Sequence, residues 1–173
     1  MASTLKEIVC MRLSDLRDLR GSGIQALISS AGASLLSLDL SLYVTTVDGE
    51  PAPEMDLSQL VNLQRARFVI EGSVTSWVPW LCHQLATYPT SSTALRTLTL
   101  RFYLYSDNAY CDRLNATAFQ QLDDALSTPP FMALKEVLLE FDMDSSMTTA
   151  ACEKFRQSLL VRLPKLADRG ILR

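Results

Sequence analysis

Leu95-Arg96-Thr97-Leu98-Thr99-Leu100 is the stretch on which the reading of this chain turns. It has the form L-x-x-L-x-L. Leu98 and Leu100 alternate as they would on one face of a β-strand, and Leu95 stands just ahead of it. A lone hexapeptide of this kind arises by chance in Leu-rich sequence, but here the pattern recurs. Leu5-x-x-Ile8-x-Cys10, Leu35-x-x-Leu38-x-Leu40 and Leu63-x-x-Ala66-x-Phe68 precede it, and Leu134-x-x-Val137-x-Leu139 follows. The anchors Leu5, Leu35, Leu63, Leu95 and Leu134 are 30, 28, 32 and 39 residues apart. Matches in order at such a period predict a repeat array. Each strand-and-connector unit is too small to bury its own apolar face and does so by stacking on the next.

The connectors predict helices on the other side of such an array. Ile24, Leu27, Ile28 and Ala31 fall on one helical face between Gly23 and a capping Gly32. The segment around Asp48-Gly49-Glu50-Pro51 is a loop, and Asp56 to Val61 offers a short helical piece capped by Asp56. Thr75 to Tyr88 reads as a helix grouping Trp77, Trp80, Leu81 and Leu85, with Pro79 near its first turn. A helix carrying Phe119, Leu122 and Leu126, capped by Asn115 or Thr117, stops before Pro129-Pro130. The last runs from about Thr148 to Leu163 and belongs to a C-terminal helical cap over 146–173. The predicted fold is therefore α/β and solenoid-like, a single domain over 1–173 with about five parallel strands on one face and helices on the other.

Composition narrows the function. At 173 residues and 48% hydrophobic, the chain can bury one sizeable core, and 20% charged residues is too few for a disordered chain. A net charge of -3 argues against nucleic-acid binding through bulk charge. The opening residues have no basic-then-apolar signal pattern, and no apolar run approaches the ~20 residues that span a bilayer. Cys10, Cys82, Cys111 and Cys152 are scattered without a C-x-x-C pair, as reduced thiols of an intracellular protein, cytoplasmic or nuclear, would be.

Two stretches give the chain a closer likeness. One is Pro129-Pro130-Phe131-x-x-Leu134-Lys135-Glu136-Val137. The other is the ending Leu163-Pro164-Lys165-Leu166-x-x-Arg169-Gly170-Ile171-Leu172. With the five runs, these resemble the irregular leucine-rich-repeat region of fungal F-box proteins. The resemblance implies a protein-binding array serving as the substrate-recognition part of a ubiquitin-ligase subunit. It covers the repeats and not an F-box, because the chain opens almost directly on its first run. It also departs from the usual repeat, which carries Asn or Cys nine residues into the pattern; here those positions hold Leu13, Tyr43, Glu71, Tyr103 and Asp142.

Catalytic motifs are few. His83 is the single histidine, which rules out a two-histidine metal site, and its neighbour Cys82 points elsewhere on the same helix. Asp142-x-Asp144-Ser145-Ser146 lacks the Gly turn and distal Glu of a calcium loop. Gly21-Ser22-Gly23 lacks the Lys of a phosphate loop and reads as a turn, and Asp123-Asp124 reads as a solvated helix face. Neither an enzyme nor a cofactor is expected.

What remains is the open sheet face. The residues between buried leucines align from strand to strand, Val9, Asp39, Arg67, Thr99 and Leu138 in one column and Met11, Ser41, Val69, Arg101 and Glu140 in the next. Met11, Asp39, Arg67, Val69, Thr99, Arg101, Leu138 and Glu140 are the expected contacts for a protein partner, with Arg67, Arg101 and Glu140 setting its register. The first strand, around Ile8, would offer a bare edge for self-association. A small α/β enzyme, with chemistry after a strand end, and a degenerate array that binds nothing specific are the competing readings.

Overall fold

A computed structural model describes residues 6–13, 23–44, 55–72, 74–104, 116–143 and 149–173. Its strands are β1 (Glu7–Leu13), β2 (Ser37–Val44), β3 (Arg65–Gly72), β4 (Thr97–Leu104) and β5 (Glu136–Met143). They form one parallel sheet in the order of the chain, β1-β2-β3-β4-β5. Each parallel pair requires a crossover, and among the described residues helices supply it for three of the connections. These are α1 (Ile24–Ala31), α2 (Val74–Ala86) and α3 (Ala116–Leu126); α4 (Thr149–Arg162) and the short α5 (Pro164–Asp168) follow β5.

The regular part of the sheet has four strands rather than five. From β2 to β5 the register is unbroken, Leu40 pairing with Phe68, Phe68 with Leu100 and Leu100 with Leu139. β1 joins at the edge, and its register slips between Cys10, opposite Leu40, and Leu13, opposite Leu42. The slip leaves Met11 without a place opposite Ser41, so the expected second column does not extend to β1.

The four later strands enter the sheet in the same way. The carbonyl of Lys6 accepts the amides of Leu36 and Ser37, and that of Leu36 accepts those of Gln64 and Arg65. Gln64 then holds Arg96 and Thr97, and Arg96 holds Lys135 and Glu136, with each pair of distances near 2.8–3.2 Å. Every junction lies one residue after an anchor. The anchors Leu35, Leu63, Leu95 and Leu134 are all buried, whereas Leu5 lies outside the described residues. So do the expected loop at Asp48-Gly49-Glu50-Pro51, the turn at Gly21-Ser22, the capping Asn115 and the run Asp144-Ser145-Ser146.

Alternation places Leu38, Leu40, Ala66, Phe68, Leu98, Leu100 and Val137 on the covered face. They share one core with Ile28 of α1, Val78, Leu81 and Leu85 of α2, and Phe119, Leu122 and Leu126 of α3. The predicted helix over 24–31 forms with those bounds, ended by Gly32 at φ 45, where a glycine is needed. Two local expectations change. Residues 56–61 form turns and not a helix, with the Asp56 carboxylate accepting the Ser58 amide at 2.8 Å. Pro79 stands in the second turn of α2 and not the first.

The C-terminal cap shows what its sequence is for. Pro164 occupies the first turn of α5, and Leu163 ahead of it has no side-chain oxygen to cap the helix. Asp123 of α3 does this across the interface, its two oxygens accepting the amides of Lys165 and Leu166 at 3.0 Å each. Asp123 is 1% exposed, so the solvated-face reading of Asp123-Asp124 holds only for Asp124, which pairs with the Lys165 ammonium at 2.6 Å. Arg169 closes the other end, donating to the carbonyls of Leu126 and Phe131 at 2.9 Å. Gly170 turns the chain at φ 66, and Ile171–Arg173 lie along β5, with Val137 and Leu139 bonded to the tail.

Candidate functional site

Opposite the helices, alternation sets the intervening residues in rows across the strands. The first row is Glu7, Ser37, Arg65, Thr97 and Glu136. The second is Val9, Asp39, Arg67, Thr99 and Leu138, as the sequence pattern predicts. The third is Ser41, Val69, Arg101 and Glu140.

The charges of these rows bind one another. Arg67 sends one guanidinium nitrogen to Asp39 on β2 and the other to Glu140 on β5, each at 3.2 Å. Reaching β5 takes the side chain over β4, and Thr99 there is only 7% exposed. Partial burial alone would lower the pKa of Arg67, yet the hydrogen bonds to Glu140 and Asp39 hold it above its ordinary value. Arg101 directs Nε at 2.8 Å and Nη2 at 2.6 Å onto one oxygen of Asp142. These bonds span residues 28, 73 and 41 positions apart, so they tie β3 to β2 and to β5, and β4 to β5. The face is a charge-paired lattice, and Arg67, Arg101 and Glu140 are partners of their own sheet before they are partners of anything else.

The remaining expected contacts divide. Asp39 and Leu138 are half-buried on this face and in register. Val69 and Thr99, expected to be open to a partner, are buried at 6% and 7% exposure. Met11 falls in the slipped part of β1, and its side chain lies outside the described residues.

Between the first two rows the face dips into a shallow depression of ≈ 210 Å³ running from Glu7 on β1 to Thr97 and Thr99 on β4. Arg65 and Arg67 stand at its middle, with Ser37 and Asp39 on one side. The first row is absent from the contacts expected of the sequence. Its signal is there, since Glu7, Ser37, Arg65, Thr97 and Glu136 sit two residues before the second row in every run. Each lies at the very start of its strand, ahead of the alternating apolar pair that marks the run.

Among the described residues no group of three or more His, Cys, Asp or Glu side chains could hold a metal ion. No described helix is long and apolar enough to cross a membrane. Cys82, on the half-buried side of α2, has its thiol pKa pushed by burial up to about 11, which keeps it protonated and unreactive at neutral pH.

Compared with protein-family models, with curated proteins and with solved structures, the chain has no match in any of the three.

Proposed function

We propose that this chain is an irregular leucine-rich-repeat solenoid whose open sheet face holds a protein partner. The observation that carries the reading is the strand junction. One carbonyl accepts two successive amides of the next strand at Lys6, Leu36, Gln64 and Arg96, at the spacing of the sequence anchors. A recurrent junction of this kind supports stacked equivalent units, and such stacks present broad faces suited to binding. The face is polar and internally ion-paired, with half-buried Leu138 among its apolar contacts. A role in substrate recognition for an F-box-type ubiquitin-ligase subunit follows from the resemblance of residues 129–137 and 163–172 to that family.

The test is affinity capture with the full chain as bait, read by mass spectrometry. Leu138→Arg places a charge on the open face, and Val161→Arg changes α4 at a side chain that is 80% exposed. Leu138→Arg abolishes capture of the specific partner and Val161→Arg preserves it. A captured set indifferent to Leu138→Arg removes this face from consideration.

A further inference from the structure

The first row differs from the other two. Across the sheet it runs carboxylate, hydroxyl, guanidinium, hydroxyl, carboxylate: Glu7, Ser37, Arg65, Thr97, Glu136. In the second row Arg67 is satisfied by Asp39 and Glu140, and in the third Arg101 is held by Asp142. Arg65 is exposed in the depression, and its side chain makes no hydrogen bond or ion pair among the described residues. Glu7 and Glu136 also lack an ion-pair partner among the described residues. The row therefore offers a free cation between two free anions, with hydroxyls beside the cation that can also donate to a carboxylate.

Its spacing selects an occupant. Neighbouring strands are about 4.8 Å apart, so charges two strands apart recur at about 9.6 Å across the sheet. A polyproline II segment rises about 3.1 Å per residue with three residues per turn, which returns the same side every ~9.3 Å. A β-strand would turn residues three apart to opposite sides. An α-helix is about 10 Å across with its side chains. Its face returns every ~5.4 Å, so one turn falls short of the ~9.6 Å spacing and two turns overshoot it.

We propose that the first row binds an extended, polyproline II-like segment of a partner protein laid across the strands. Its acidic residue sits on Arg65 between the hydroxyls of Ser37 and Thr97. A basic residue three positions before it and another three positions after it meet Glu7 and Glu136. The inference rests on the open face being the binding face, and it adds the chemistry of the partner.

Fluorescence anisotropy at low salt tests it, with the full chain titrated into a labelled Lys-Pro-Pro-Glu-Pro-Pro-Lys peptide. The comparison peptides are the charge-inverted Glu-Pro-Pro-Lys-Pro-Pro-Glu and a scrambled Lys-Lys-Pro-Pro-Pro-Pro-Glu. The first peptide binds saturably, and the other two bind about tenfold more weakly or worse. Arg65→Glu removes binding of the first peptide, and the triple variant Arg65→Glu, Glu7→Lys, Glu136→Lys prefers the inverted one. Unchanged urea midpoints confirm that these surface variants fold. Equal binding of the first and scrambled peptides overturns the proposal, as does indifference to Arg65→Glu. Equal competition by free glutamate or inorganic phosphate also overturns it, because the row is then a simple anion site. If the peptides fail while Leu138→Arg still abolishes partner capture, the binding face stands and only the first-row chemistry falls. If neither responds, both readings fall.

Discussion

Asp123→Ala tests whether the C-terminal cap is fixed as the structure has it. The carboxylate is buried and accepts two backbone amides, Lys165 and Leu166, at 3.0 Å each. These are donors of the first turn of α5, which the helix itself leaves unpaired. Alanine strands both, and an orphaned buried donor costs roughly 1–3 kcal/mol. The expected loss is about 3 kcal/mol, above the ~1 kcal/mol of an ordinary exposed cap, because water cannot substitute fully at this depth. For a chain of this size that lowers the melting midpoint by about 6–12 °C. Asp123→Asn keeps one acceptor and turns an amide group on the other donor, so about half the loss remains. Lys165→Ala is the control, since it deletes the surface pair to Asp124 and leaves the capped amides in place. The assay is urea and thermal unfolding followed by circular dichroism. A loss below about 0.5 kcal/mol for Asp123→Ala, the size of an ordinary surface change, would refute the capping account.

Three further outcomes follow from single features. Arg67→Met removes the links to Asp39 and Glu140 while keeping aliphatic cover over β4; after screening it costs about 1 kcal/mol, and the cost shrinks as salt is added. A salt-independent loss would mean that packing, and not charge, holds that lattice. Gly170→Ala costs about 1 kcal/mol by urea unfolding, because φ is 66 there and an added Cβ meets nothing within 4 Å, leaving conformational strain as the only penalty. The Cys82 pKa is raised from 9.0 to about 11 by burial, so folding favours the protonated thiol. Its contribution to stability is complete below pH 9.0 and fades as pH climbs towards 11, when the unfolded chain ionises first. Residue-resolved iodoacetamide labelling at pH 8 should find Cys82 far slower in the folded chain than in urea; equal rates would contradict its burial.

The sequence alone determined the period and the inward residues. Alternation and spacing are local properties of a strand, so they assign Leu38, Leu40, Phe68, Leu98, Leu100 and Val137 to the core by themselves, and all are buried. The bounds of the helix over 24–31 were equally legible, because its flanking glycines lie within ten residues of one another; of its expected apolar face Ile28 and Ala31 are buried, whereas Leu27 is 48% exposed. The second row of the open face followed from the same alternation.

What only the tertiary structure decided depends on side chains distant in sequence. Asp123 looks solvated on its own helix and becomes a buried cap only when residues 165 and 166 arrive beside it. Thr99 and Val69 occupy outward positions by alternation, yet both are buried, Thr99 on the strand that Arg67 crosses to reach Glu140. The slip in β1 arises from its pairing with β2 and has no signature in its own alternation. Period is written residue by residue. Which charges are spent on the fold and which, like Arg65, are left over is settled only when strands 28 to 73 residues apart are set side by side.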